Sequence, residues 1–331
     1  MVYNKYIGII GGTGTIGSII VKYLLQLQTH FHVLIGGRRS IKEISMSTFY
    51  NSERLKYNQM NYNNDVELDN FCSQCLLVIN AVGPSFKIND KIALHALRNN
   101  CHYIDIGGYG ILRDLLKPYE KSIEAQKLCF IIGVGWMPGI SGVFSKTIIE
   151  THLNSPENTN FNIYYGAVDN WSYSSTYDLA ASSMGKTRSY VYSHGKEIQV
   201  SPFRYTHHKF FPFIGHKKIC MPSFDEQLTQ LATSLKQIRK ISTFIMLNDY
   251  ISMGKFMFIK IFYKHNLNKA TLMLQDDYQR LVKKENKWGS VICQVSKIEP
   301  ERKIDTFYYL YTKNNLLYTA LPAVITTQYI L

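Results

Sequence analysis

Short apolar runs alternate with segments of helical periodicity over roughly the first 135 residues. The runs lie at 6–10, 31–35, 76–82, 102–106 and 129–134, and between them apolar residues recur every three or four positions, as in Ile16, Ile20 and Leu24. Short apolar runs predict buried strands, and the intervening period predicts helices packed on them. Strands that alternate with helices are typical of an α/β fold with a doubly wound parallel sheet.

A strand-rich pattern replaces this alternation after about residue 160. Runs at 161–168, 190–200 and 306–311 predict strands, with a hairpin turn at 193–196, and 291–295 predicts a strand or short helix. Ser223 and Glu226 predict a capping box for a helix that runs toward Ile241, and 256–262 predicts a strand or short helix. Residues 317–331 predict an apolar helix that returns to the first domain.

The length of 331 residues favours two domains. We therefore predict a Rossmann domain formed by residues 1–145 and 315–331. A second α+β domain, residues 146–314, is expected to be inserted before the C-terminal helix and to serve substrate binding and dimerisation.

A glycine-rich turn joins the first predicted strand to the first predicted helix. It reads G-G-T-G-T-I-G over 11–17 and satisfies G-x-G-x-x-G from Gly12. A pyrophosphate needs backbone N–H groups at close range and the positive end of a helix, and glycine permits that approach. A plain turn between packed elements is the alternative, but the strand, turn and helix context favours a dinucleotide. The predicted cofactor-binding residues here are Gly11, Thr13, Gly14, Thr15, Ile16 and Gly17.

Two arginines follow the second predicted strand, about twenty residues past the glycines. An enzyme that uses NAD places an acidic residue there for the ribose 2′-hydroxyl, whereas this chain has Arg38, Arg39 and Ser40. Guanidinium groups bind phosphate through paired hydrogen bonds, so this position favours NADP(H) over NAD(H). A solvated basic turn is the alternative interpretation.

Small residues gather at the ends of the other predicted strands. Because ligands of such sheets lie outside the carboxyl ends of the strands, these positions are further candidates for cofactor binding. They are Ala81, Val82, Gly83, Pro84, Asp105, Gly107 and Pro138.

Composition narrows the class of protein. The formal net charge is +13, and most of the excess lies after residue 140, which suits an anionic substrate or simply a solvated basic face. No basic cluster lies on a nucleic-acid-reading motif. The longest uncharged run, 128–145, is interrupted by glycines and a proline, so membrane contact is not expected and we predict a cytoplasmic protein. The six cysteines are expected to be reduced and mostly packed, and no spacing predicts a metal site.

The chain resembles the saccharopine dehydrogenase-like family of NADP-linked reductases. The segments that carry the resemblance are 11–17 with Arg38 and Arg39, N-A-V-G-P-S-F at 80–86, H-Y-I-D-I-G-G at 102–108, 133–144, and the terminal helix around 321–323. The resemblance implies an N-terminal Rossmann domain that binds NADP, with substrate held on an inserted α/β domain. It also implies that residues 81–84 lie near the ribose and nicotinamide, and that the Pro138–Gly139 loop closes over the nicotinamide.

One departure from the family pattern concerns the substrate. Family members commonly carry an acidic residue just before this Pro-Gly, whereas this chain has Met137. This difference favours a bulkier or less polar substrate over an amino acid whose ammonium group would use that carboxylate.

Candidate proton donors are few. Tyr109 follows a predicted strand end, and Tyr177 with Asp178 is expected in a loop that opens the second domain. Packed or surface tyrosines would look the same in a sequence. Tyr192 and Lys196 form a Y-x-x-x-K, but the intervening residues predict a turn, so the two side chains are not expected on one helical face.

The leading prediction is an NADPH-dependent reductase of C=N (imine) bonds, working as a homodimer on a small-molecule or carrier-bound substrate. An enoyl (C=C) reductase acting on a carrier-bound or lipid-like intermediate is the first alternative, suggested by Met137 and the basic second half. The second alternative is a non-catalytic redox sensor that holds NADP(H), since no convincing acid–base group is evident.

Overall fold

The structure is a computed structural model that describes residues 6–27, 31–40, 52–108, 110–152, 158–184, 189–223, 226–263 and 265–331. The chain divides into two compact units. The first is Met1–Gly139 with Leu316–Leu331, and the second is Ile140–Asn315.

The first unit is built on a six-stranded sheet in which every pair of neighbouring strands is parallel, in the order β3-β2-β1-β4-β5-β6. Its strands are β1 (Tyr6–Ile10), β2 (Val33–Gly37), β3 (Leu55–Gln59), β4 (Cys75–Asn80), β5 (His102–Asp105) and β6 (Phe130–Ile132). Its helices are α1 (Thr15–Gln26), α2 (Asp65–Cys72), α3 (Ser85–Ile88), α4 (Lys91–Arg98), α5 (Gly110–Leu116), α6 (Glu120–Ala125) and the last helix of the chain, α13 (Asn315–Ile330). This is the predicted doubly wound Rossmann sheet.

Two apolar clusters cover the faces of this sheet. Alternate residues of β1 point to opposite sides, so Ile9 packs with Ile20 of α1 and Ala323 of α13, whereas Ile10 packs with Phe71 of α2. The terminal helix therefore belongs to the core of the first unit, as the sequence predicted.

The second unit is built on a mixed sheet of order β10-β11-β12-β7-β13-β14, in which β8 pairs with β12 and β9 with β8. Its strands are β7 (Thr159–Val168), β8 (Ser189–Ser193), β9 (Lys196–Val200), β10 (His207–Phe211), β11 (His216–Pro222), β12 (Lys240–Leu247), β13 (Trp288–Ile298) and β14 (Lys303–Thr312). Its helices are α7 (Ile140–Thr151), α8 (Tyr173–Met184), α9 (Pro202–Tyr205), α10 (Glu226–Ser234), α11 (Tyr250–Phe262) and α12 (Leu267–Lys284). The second unit thus has the predicted α+β composition.

Some predicted elements were wrong in extent or type. The helix expected to run toward Ile241 ends at Ser234, and Ile241 lies in β12, where its neighbour across the sheet is Phe161. The helical spacing of Leu228, Leu231 and Leu235 does not continue to Ile241, and pairing within the sheet determines the structure there. The segment 256–262 belongs to a helix that begins at Tyr250, because the Asp249 side chain accepts a hydrogen bond from the Ser252 backbone N–H and caps it.

The helical segment predicted between the apolar runs at 102–106 and 129–134 is not one continuous helix. It is divided into α5, a short 3₁₀ turn (Lys117–Tyr119) and α6, and Pro118 lies in that 3₁₀ turn. Among the described residues, no helix combines the length and the apolar character needed to cross a membrane.

Candidate functional site

The carboxyl ends of the Rossmann strands form a single row across the first unit. Ile10 at the end of β1 pairs in register with Gly36 on one side and Asn80 on the other, Asn80 pairs with Asp105, and Asp105 with Ile132. The sequence predicted that the small-residue clusters after these strands would meet, and this register brings them to one edge of the sheet.

The glycine turn approaches its neighbours too closely to carry side chains at two positions. Gly11 has φ +84°, and a Cβ there would lie 3.0 Å from the Ala81 carbonyl. A Cβ on Gly17 would lie 2.2 Å from the Gly11 carbonyl oxygen, so the first turn of α1 packs directly on the glycine turn. The turn, the loop after β4 and α1 are therefore held together by backbone contact.

The N-terminus of α1 has the properties of an anion site. The helix has Gly14 as its N-cap with no side-chain hydrogen bond, and its first turn contains no acidic residue. Free backbone N–H groups and the helix dipole favour a negative charge at such an end. A cofactor diphosphate fits this position, with Thr15, Ile16 and Gly17 supplying the first-turn amides.

Arg38 and Arg39 project from the turn after β2 with exposed side chains. The turn itself is fixed from β3, because the Gln59 amide donates to the Arg38 carbonyl oxygen over 3.3 Å and the Tyr57 hydroxyl contacts the Arg39 carbonyl oxygen. Neither guanidinium lies within ion-pair distance of a carboxylate in the described parts of the chain. Ser40 follows directly. Two unpaired cations on an anchored turn fit a ribose 2′-phosphate.

A buried polar network sets the loop after β4. The Asn80 amide donates to Asp105 Oδ2 over 2.8 Å, and the Tyr103 hydroxyl donates to the same oxygen over 2.6 Å. Asn80 Oδ1 in turn accepts a hydrogen bond from the Val82 backbone N–H over 3.0 Å. The network thus fixes the start of the Ala81–Pro84 segment from inside the protein.

The Asp105 carboxyl is buried, with 2% of its surface exposed. Burial raises its pKa, and the hydrogen bonds from Tyr103, Asn80 and the Gly107 and Gly108 backbone N–H groups oppose that rise. Burial likewise raises the pKa of the Tyr103 phenol well above its ordinary range. Because its oxygens accept hydrogen bonds from within the protein, Asp105 holds Asn80 and Tyr103 in place at the carboxyl ends of the strands.

The loop that contains Pro138 lies beside the end of β6. A Cβ on Gly133 would lie 3.2 Å from the Pro138 ring, and the Gly135 backbone N–H donates to the Pro138 carbonyl oxygen over 3.0 Å. Trp136 is buried against Tyr318 of α13, with the rings edge to face and centroids 5.8 Å apart. The first unit therefore contains both the loop and the helix that supports it.

The proton-donor candidates have different locations. Tyr109 lies outside the described residues. Tyr177 and Asp178 lie within α8 rather than in a loop, and both are more than nine-tenths buried. Tyr192 and Lys196 lie on β8 and β9, on either side of a hairpin turn, so the Y-x-x-x-K does not form a helical pair. The catalytic assignments of Tyr109, Tyr177 and Asp178 stay predictions.

Comparison with known proteins identifies the first unit. Residues 7–129 match the family described as the saccharopine dehydrogenase NADP binding domain. Among curated proteins, none matches this chain.

Solved structures with a similar fold include apo saccharopine dehydrogenase (L-Glu forming) from Saccharomyces cerevisiae. That enzyme is 12% identical, with a TM-score of 0.67 over 98% of this chain and 91% of the yeast chain. DAP dehydrogenase from C. glutamicum in complex with DAP is 10% identical, with a TM-score of 0.46 over 96% of this chain and 86% of that chain. The likeness to the yeast enzyme confirms the predicted fold.

The N-terminus of α1, the exposed arginine turn and the family match all point to the same kind of domain. The N-terminal unit is therefore a saccharopine dehydrogenase-like NADP-binding domain, and the chain is an NADP-dependent oxidoreductase whose cofactor is NADP(H).

Proposed function

We propose that this oxidoreductase reduces a C=N bond with NADPH. The match of residues 7–129 to a saccharopine dehydrogenase NADP binding domain is the observation that carries the proposal. In this proposal, the diphosphate binds at Gly11–Gly17, the 2′-phosphate at Arg38, Arg39 and Ser40, and the nicotinamide half near 81–84, Gly107 and Pro138.

The strand-end row supports this placement of the cofactor. A recess beside Asn80 and Asp105 is lined further by Ser85, Phe86 and Gly108, next to the segment assigned to the nicotinamide half. The Asn80–Val82 hydrogen bond holds the backbone of that segment. These groups orient a flat ring at the edge of the sheet, which is what hydride transfer requires of the protein.

When bound, NADPH would supply the hydride for the carbon of the C=N bond. If the imine nitrogen already carries a proton, the hydride completes the secondary amine and no proton donor is needed from the protein. This stoichiometry suits a chain whose candidate donors Tyr177 and Asp178 are buried in α8.

The proposal is tested by following NADPH absorbance with a panel of cyclic and open-chain imines beside a matched panel of enoyl thioesters. Oxidation with imines and formation of the secondary amine support the proposal. Oxidation with the enoyl panel alone would refute imine reduction.

An enoyl reductase is the second candidate, and Met137 favours it. This thioether stands where the family commonly has an acidic residue, directly before Pro138. Loss of a carboxylate removes the partner for a substrate ammonium and leaves an apolar side chain. Met137→Glu should then lower turnover of an enoyl substrate and leave turnover of an imine unchanged or higher.

A further inference from the structure

One face of the second unit's sheet carries a group of polar side chains, here called the polar patch. Its members are Asn160 and Asn162 on β7, Lys240 and Ser242 on β12, and Gln294 and Ser296 on β13. In register across the three strands, Lys240, Asn160 and Ser296 form one row, and Ser242, Asn162 and Gln294 form the next. The alternate residues, such as Phe161 and Val295, are buried on the opposite face.

Two atoms of the polar patch are buried with no hydrogen-bond partner among the described residues. They are Ser242 Oγ, on a side chain that is 1% exposed, and Asn160 Oδ1. A buried polar atom left unpaired costs about 1–3 kcal/mol. The two atoms lie on adjacent strands and adjacent rows of the same face. The side chains of Asn160 and its neighbour Asn162 are partly exposed, so the polar patch extends to the protein surface.

Two partly buried lysines, Lys240 within the polar patch and Lys209 beside it, have no carboxylate partner among the described residues. Lys240 Nζ lies 3.5 Å from the Tyr205 hydroxyl and 4.9 Å from that ring's centroid. Lys209 Nζ bonds to Gln294 Oε1 and lies 4.8 Å from the Tyr164 ring centroid. In the described part of the chain, neither ammonium has a carboxylate oxygen within 4.0 Å.

Lys218, on the same face, is a lysine whose charge is compensated within the second unit. Its ammonium lies 3.1 Å from a Glu285 carboxylate oxygen and 2.6 Å from Asn248 Oδ1, so its charge is compensated. Lys209 differs, because burial lowers the pKa of its ammonium while the carboxylate of Asp305 acts on it only from beyond ion-pair distance. Asp305, whose Oδ1 accepts a hydrogen bond from Ser296 Oγ, offsets the charge of Lys209 in part. The positive charge that remains on Lys209 and Lys240 is what an anion from outside the chain would compensate.

We propose that the polar patch binds a small organic acid that carries a hydrogen-bond donor next to its carboxylate. The carboxylate lies between Lys209 and Lys240, and the adjacent donor bonds to Asn160 Oδ1 and Ser242 Oγ. The inference goes beyond the proposed function, because it concerns a binding site on the second unit and requires no cofactor.

Calorimetric titration of the full chain with lactate and with propionate tests this site, since the two acids differ only by a hydroxyl donor. We expect both to bind and lactate to bind about tenfold more tightly, which corresponds to ~1.4 kcal/mol for one hydrogen bond. Absence of binding by either acid would overturn the proposal. Since no cofactor is present, that result would leave NADPH binding untouched.

Variants separate a binding role from a structural one. Lys209→Met and Lys240→Met should each weaken both acids about tenfold, whereas Lys240→Arg retains the charge and should retain binding. Lys217→Met is the control, because Lys217, which precedes Lys218 on β11, is exposed and is not part of the polar patch. Its replacement should leave the affinity for both acids unchanged. Unchanged affinity in the Lys209→Met, Lys240→Met double variant would refute the site.

Ser242→Ala gives a second, independent outcome. Removal of an unpaired buried hydroxyl should leave the Tm unchanged or raise it, and should narrow the gap between lactate and propionate. A lower Tm with an unchanged gap would mean that the hydroxyl serves the fold alone, which contradicts the proposal.

Discussion

Replacing Arg38 and Arg39 together by alanine tests the placement of the 2′-phosphate. The turn that carries them is held through its carbonyl oxygens by Tyr57 and Gln59 on β3. Removal of the two side chains leaves those bonds in place, and both side chains are exposed, so the variant should keep its fold.

The expected loss of affinity follows from the exposure of the two guanidiniums. A hydrogen bond to a charged group contributes about 1.5–3 kcal/mol, but an exposed ion pair contributes only about 0.2–1 kcal/mol. Taking ~1 kcal/mol for each arginine, the double variant should lose ~2 kcal/mol toward NADPH, or roughly thirtyfold in Kd. NADH lacks the 2′-phosphate, so its affinity should change little.

Fluorescence titration of NADPH and NADH measures both constants. Added salt should weaken NADPH binding by the native chain and so reduce the difference in NADPH Kd between the native chain and the double variant. The reason is that exposed charges are screened within a Debye length of about 8 Å at physiological ionic strength. Arg113→Ala is the control, since Arg113 is a partly exposed arginine on α5 that already pairs with Asp114. Equal affinity of the native chain for the two cofactors would refute the reasoning.

Three further changes test the packing around the site and the acid stability of the second unit. Gly17→Ala places a Cβ 2.2 Å from the Gly11 carbonyl oxygen, so we expect a loss of about 1–3 kcal/mol in a denaturant titration and weaker NADPH binding. Asp105→Asn replaces one acceptor oxygen by an NH2 group that can only donate, so Asn80, Tyr103 and the Gly107 and Gly108 N–H groups cannot all keep their bonds, and kcat should fall by more than NADPH affinity; an unchanged kcat would contradict the positioning role. For Asp249, burial raises the carboxyl pKa, but hydrogen bonds from Arg280 and the α11 N-terminus outweigh it and hold the pKa well below its usual range. Its ionised form therefore adds stability above the unfolded pKa of about 3.9, and this is lost as the pH falls below that value; Asp249→Asn should lower the Tm at pH 7 by roughly 2–4 °C and flatten the acid side of the Tm profile.

The first unit was predictable because each level of its sequence indicates the same structure. The apolar run of β1, the glycines after it and the spacing of Ile20 and Leu24 all favour a strand, a turn and a helix. The parallel order of the strands followed from their alternation with helices. What periodicity left undecided was where helices end, as at Pro118 and at Asn89, whose φ of +52° separates α3 from α4.

The second unit was less predictable because its contacts are distant in sequence. Leu228, Leu231 and Leu235 have helical spacing, and the prediction continued that helix toward Ile241, yet Ile241 pairs with Phe161, eighty residues away in the chain. The polar patch was also missed, since Asn160, Ser242 and Gln294 are ordinary polar positions until the register places them side by side. Alternation of polar and apolar residues along β7 was the one signal for it.

Asp105 shows that the position of a residue in a motif does not by itself determine what its side chain contacts. Its place at a strand end made it a candidate for direct cofactor contact, and the register does bring it to that edge. Its oxygens, however, accept bonds from Tyr103 and Asn80, and Asn80 transmits the constraint to the Val82 backbone. A carboxylate that touched the cofactor directly would need a free oxygen at the surface, whereas this one is buried. We therefore expect the H-Y-I-D segment to act, through the loop after β4, on the position proposed for the nicotinamide. A buried network of this kind is costly to break because each member is satisfied by the next.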